Sequence, residues 1–335
     1  MAKRKTDEYI FADAYIGSFS KNLMTKKDYM RVATSKDLDA AEAILREYGY
    51  GEAQELKDGD IEAFIRREQN KLFDLIYDTL PEQNELSLCL YPFDYHNVKV
   101  CLKAELLGLT PDANYLVSTG AIDWMKVVAM VRDRNYAFMP VHMKNAIIEA
   151  MDIYSKSEDP QDIDIILDKA CYKHMLEDAE ATEEEFLIGL VKVKIDTINL
   201  NTLVRLKQLK KSWDFFKYVY IEGGNIPLDI FQSSYDENYS RLGEKIESYG
   251  YKDVMAVGAK AVAETGDYLL FEKMLYNKIM EYNKKAKYVT EGIVPIAGYW
   301  YGKELEIDNL RITLTGKLFG FTPEEIEERL REPYV

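Results

Sequence analysis

One pattern occurs three times along the 335-residue chain. Asp94, Asn97, Val98 and Lys99 are matched by Asp196, Asn199, Leu200 and Asn201, and again by Glu306, Asn309, Leu310 and Arg311. Each copy reads acid-x-x-Asn followed by an aliphatic residue. Five residues past the asparagine stand Leu102, Val204 and Leu314, and ten past it Leu107, Leu209 and Phe319. The first and third copies add Gly108 and Gly320 at the eleventh place. A second element precedes each copy: Phe64 to Arg67, Ile166 to Lys169 and Leu270 to Lys273, each closing on a basic residue. Arg67 and Lys169 lie 30 residues before their asparagines, and Lys273 lies 36 before its own, which points to an insertion around residues 292–301. Two elements at matching offsets make the chain a threefold repeat. The period, 102 and 110 residues between asparagines, sets domains at 1–112, 113–215 and 216–335.

The repeated unit reads as helical. Ala41, Ile44, Leu45 and Tyr48 fall at helical spacing, with a stop at Gly49 or Gly51, and residues 61–76 carry a second amphipathic stripe ending near Pro81. Residues 123–132, 144–154 and 238–249 read alike. Thr322, Pro323 and Glu325 spell a capping box with proline at the first helical position. With only 18 Gly and 9 Pro, the chain lacks the turns an all-β fold of this size needs. The expected class is all-α, three similar helical units.

An acid and an asparagine three apart share one helical face. If each pair of elements forms a hairpin, Arg67 is expected beside Asp94, Lys169 beside Asp196 and Lys273 beside Glu306. Carboxylates next to cations suit acid–base or phosphate chemistry, but active sites are rarely triplicated in one chain, so charge pairs that fix hairpin register, with the asparagine bridging backbone groups, are the better reading. His96, His142 and His174 are scattered and lack zinc spacing. Thr315, Gly316 and Lys317 resemble the end of a phosphate loop, yet Leu318 replaces the Ser/Thr and Arg311 stands where the first glycine belongs. No catalytic, cofactor or metal constellation is expected. Tyrosine is abundant, 25 against 13 Phe, and Tyr218, Tyr220, Tyr299, Trp300 and Tyr301 are candidates for an interface, with ring packing as the equal alternative.

Charge narrows the partners. Asp and Glu number 58 against 43 Lys and Arg, a net charge of −15, which repels phosphate backbones and argues against nucleic acid. Cys89, Cys101 and Cys171 are odd in number, which suggests a reducing compartment. Lys3, Arg4 and Lys5 mimic the start of a leader, but Asp7 and Glu8 follow and no apolar stretch comes after them. The best apolar run, residues 254–263, is broken by Lys260, so no membrane span is expected.

Three stretches match a known family: Pro295 to Tyr299, then Lys303 to Arg311, and the closing Leu330 to Val335. Tyr95 to Lys99, Leu23 to Tyr29 and Tyr48 to Gly51 extend the match over nearly the whole chain. In these residues the chain resembles the C subunit of archaeal and bacterial V/A-type ATPases, which is similar to the d subunit of vacuolar ATPases. The resemblance implies three helical domains set with pseudo-threefold symmetry into a funnel. It further implies a rotor adaptor at the cytoplasmic face of the membrane, bound to the central-stalk shaft and to the membrane rotor ring. Membrane contact would come only through those partners, and no nucleotide, ion or cofactor site is implied. Asn201 departs from Lys99 and Arg311 and marks the middle copy as the divergent one. Two other readings are a helical scaffold that binds peptides in a groove, against which the near-100-residue period argues, and an all-α metal enzyme, against which the lack of acidic clusters argues.

Overall fold

The structure is a computed structural model that describes residues 6–82 and 84–335; the basic residues Lys3 to Lys5 lie outside them. The protein is all-α, with no strand among the described residues. Five helices come first: α1 (Ile10–Ser20), α2 (Lys26–Thr34), α3 (Leu38–Glu47), α4 (Gln54–Lys57) and α5 (Ile61–Thr79). Next are α6 (Tyr91–Leu106), α7 (Trp124–Arg132), α8 (Val141–Ser157) and α9 (Gln161–Ala181), then α10 (Glu185–Gln208) and α11 (Trp213–Val219). The chain closes with α12 (Leu228–Ser234), α13 (Tyr239–Lys245), α14 (Lys260–Thr265), α15 (Leu269–Asn283), α16 (Ile293–Leu318) and α17 (Pro323–Arg329). The acid-x-x-Asn copies ride on α6, α10 and α16, and the elements that precede them on α5, α9 and α15.

Local chemistry explains the boundaries. Asp37, Asp60 and Asp123 cap α3, α5 and α7 by accepting N–H groups of Ala40, Ala63 and Met125. At α17 the Thr322–Glu325 box forms in both directions, as its spelling requires. Residues 238–249 do not make one helix: α13 stops at Lys245 and a short 3-10 turn follows. Relative to the first copy, the extra length of the third lies in residues 293–301, the first turns of α16.

All three motif helices end in the same way. The amides of Leu109, Lys211 and Phe321 reach back to the carbonyls of Ala104, Leu206 and Gly316 at 2.9, 3.0 and 2.9 Å. Between them and the helix stand Gly108, Lys210 and Gly320 at φ 66, 52 and 75°, the left-handed link of a Schellman motif. Lys210 adopts it at a cost of about 1 kcal/mol that glycine avoids. The three motif helices thus share one C-terminal geometry.

The contacts group the chain into two compact units. One comprises Glu82–Ile195 and Asp214–Gly224, and the other residues 6–81, Asp196–Trp213 and Asn225–Val335, so α10 contributes to both. In the first, α9 packs on α6 and α8, and α6 also on α7. In the second, α16 is the central element and packs on α1, α2, α5, α15 and α17. Buried residues fall on all its sides, as such a position demands, with Ile296, Ala297, Ile307, Leu310 and Leu314 fully enclosed. Gly302 lets Tyr334 lie against this helix: a Cβ there would stand 2.8 Å from the ring.

Candidate functional site: the repeated acid–asparagine clamps

The motif asparagines are buried, and two have fully described partners. Asn97 donates from Nδ2 to the Val117 carbonyl at 2.9 Å, and its Oδ1 accepts the Val117 N–H at 2.8 Å. Asn309 treats Arg331 identically, at 3.1 and 3.0 Å. A primary amide carries a donor and an acceptor side by side, so one side chain can satisfy the N–H and the C=O of the same residue at once. The clamped peptides lie 20 and 22 residues after the asparagine, in segments that return past the helix without regular structure.

The acid one turn earlier holds N–H groups. Asp94 accepts from Ala121 and Ile122, both at 3.1 Å, and Asp196 from the Ile226 amide at 3.0 Å and the Asn225 side chain at 2.8 Å. Glu306, one methylene longer, takes the Met24 amide and the Tyr50 hydroxyl, and its third donor is the Lys303 ammonium at 2.6 Å. Burial pushes the Asp94 carboxyl up to about 7, against the pull of the Ile122 and Ala121 amides.

The expected pair of Lys273 with Glu306 does not form among the described residues, and the Glu306 carboxylate takes Lys303 instead. Arg67 bonds Glu55 at 2.7 Å and Glu68 at 3.1 Å, with α4 packed on α5. The basic residues share a different task. Arg67 donates to the Glu52 carbonyl at 3.2 Å, Lys169 to that of Tyr218 at 2.9 Å, and Lys273 to that of Glu328 at 2.8 Å. Tyr218 and Glu328 each lie 19 residues past their motif asparagine. In the third copy, lysine and asparagine therefore hold one returning segment from two sides.

Ion pairs do link the repeated elements, but between different copies. Lys99 on α6 meets Asp168 on α9 at 2.7 Å, and Arg311 on α16 meets Glu62 on α5 at 3.1 Å. From α10, Arg205 pairs with Glu272 on α15. The divergent middle copy keeps the link by moving its cation one turn on, from Asn201 to Arg205, whose Nε also donates to the Asn201 side chain. In the first copy Arg66 occupies the acid's place, and Glu62, one turn earlier, supplies the charge. Helical neighbours at i, i+4 make such exchanges nearly free.

The tyrosine candidates divide. Tyr220, Tyr299, Trp300 and Tyr301 are buried by the chain's own packing and leave no surface for a partner; Tyr218 is exposed. Two of the scattered histidines meet, with His142 stacked on His174 at 4.8 Å and Tyr91 on the other face of His174 at 3.9 Å. Burial lowers the His174 pKa against the pull of Asp178. His96 bonds the Tyr115 carbonyl at 2.9 Å. Among the described residues no three His, Cys, Asp or Glu side chains are placed to hold a metal ion.

The repeated carboxylates, amides and cations are thus directed largely at the chain's own main chain within an all-α protein. The ATP synthase (C/AC39) subunit family matches residues 12–329, and the chain belongs to that family. It is 23% identical to the C subunit of the V-type sodium ATPase of Enterococcus hirae over 98% of this chain and 99% of that protein. It is 25% identical to the C subunit of the A-type ATP synthase of Methanocaldococcus jannaschii over 96% of this chain and 86% of that one. Membership makes it a non-catalytic subunit of a rotary ATPase. No helix among the described residues is long and apolar enough to cross a membrane.

Proposed function

We propose that the chain is the central-stalk adaptor of a V/A-type ATPase, receiving the rotor shaft on one side and seated on the membrane ion-carrying ring on the other. The family match along nearly the full length carries this reading. The relatives named for a sodium ATPase and for an ATP synthase support transport and synthesis alike as the host activity. In this reading the three repeats, 1–112, 113–215 and 216–335, surround one axis as a funnel at the cytoplasmic face, and the membrane is reached through partners. The three matching helix ends and the ion pairs between copies favour that arrangement. A part that carries torque must resist local opening, and clamps that fasten irregular segments to helices serve that need.

Vesicles containing the membrane sector, with and without this chain, test the proposal. Removing it should abolish ATP-driven ion uptake while the detached head still hydrolyses ATP. Uptake at the parental rate without the chain would overturn it.

A further inference from the structure

We propose that a groove along α9 docks a basic amphipathic helix of a partner protein, an interaction that the adaptor role does not itself require. The groove encloses about 560 Å³ between α8, α9 and the segment after α11. Its lining on α9 runs from Ile165 to Glu180. At a rise of about 1.5 Å per residue that is a trough of about 22 Å, the length of four helical turns.

Its chemistry selects the occupant. The floor is apolar, formed by Ala146, Ile166, Ala170 and Leu176. Small residues on two facing helices let a third backbone approach, and the apolar strip suits side chains spaced i, i+3, i+7 on a docked helix. The rim carries Glu149 from α8, Glu177 and Glu180 from α9, and Glu222 from the third wall. Against these four carboxylates stand Lys169 and Lys173. Lys169 is fastened to the Tyr218 carbonyl, and Lys173 leans toward Glu177 at 3.8 Å. His142 lies 3.1 Å from Glu177 as well. Four carboxylates against two lysines leave the lining net negative, with the unopposed charges on α8 and the third wall, and this around an apolar floor is complementary to a helix with an apolar stripe flanked by Lys and Arg. An acidic helix would meet net repulsion from Glu149 and Glu222.

The test uses the full chain and three fluorescent peptides of about 15 residues. One has Leu and Ala on a single helical face and Lys and Arg beside it, one has Glu in place of the bases, and one is a scramble of the basic peptide. Anisotropy should show saturable binding of the first alone. Glu149→Lys combined with Glu180→Lys, both on exposed side chains, should weaken the basic peptide about tenfold and admit the acidic one. Ala170→Trp, checked for a parental circular dichroism spectrum, should block the floor and abolish binding of either. Absent binding, equal binding of the scramble, or binding indifferent to both variants would each overturn the proposal.

Discussion

Replacing Asn309 by alanine removes both hydrogen bonds to Arg331 without touching any charge. Each such bond contributes about 1 kcal/mol net, and an amide or carbonyl left without a partner costs about 1–3 kcal/mol where water cannot reach it. Asn309 itself is fully buried, while Arg331 is half-buried, so water can recover part of the loss on that side. The expected destabilisation is about 2–4 kcal/mol. At about 2.1 cal/mol/K of unfolding entropy per residue a 335-residue chain loses about 1.4 °C in Tm per kcal/mol, so a drop of about 3–6 °C is expected. The consequence is also local. The segment that Asn309 holds carries Leu330 and Tyr334 into the core beside α16, and its release should expose the Arg331 amide. Urea unfolding gives the global number, and hydrogen exchange read at Arg331 gives the local one. Asn97→Ala should do the same at Val117. Stability within about 0.5 kcal/mol of the parent, with the Arg331 amide still protected, would refute the clamp as a source of stability.

Other expectations follow from the same geometry. Asp94 binds a proton up to about pH 7 in the folded chain but only to about 4 when unfolded, so the folded state holds more protons between these values and stability falls as pH rises through that window. Asp94→Asn should flatten that slope, and parallel urea midpoints for parent and variant from pH 5 to 8 would refute it. Because Lys273 bonds the Glu328 carbonyl and Glu306 takes Lys303, a double-mutant cycle between Lys273→Ala and Glu306→Gln should give a coupling under about 0.5 kcal/mol; a larger value would restore the hairpin pair. Gly302→Ala pushes a methyl group against Tyr334 and should cost about 1–3 kcal/mol, read by thermal unfolding. Gly17→Ala, on an open face of α1, should instead add about 0.5–1 kcal/mol.

Much of this protein is determined by local sequence. Helix starts follow from Asp60, Asp123 and Thr322, whose side chains reach amides two or three residues away whatever the rest of the chain does. The repeat, the all-α class and the family likeness are likewise carried by residue order alone. Gly108 and Gly320 announce the left-handed ends of α6 and α16, and only Lys210 conceals the third. The partners of the motif residues were decided by tertiary structure. Asp94, Asn97, Lys169, Asn309 and Lys273 act on main-chain N–H and C=O groups, which nearly every residue possesses, so no side-chain spelling marks the chosen ones. Opposite charges are the signal a sequence displays, and they point Lys273 to Glu306, whereas Lys273 reaches the Glu328 carbonyl. Burial was decided at the same level. Tyr299, Trp300 and Tyr301 point to three sides of one helix, and only a helix surrounded on every side, as α16 is, can hide them all.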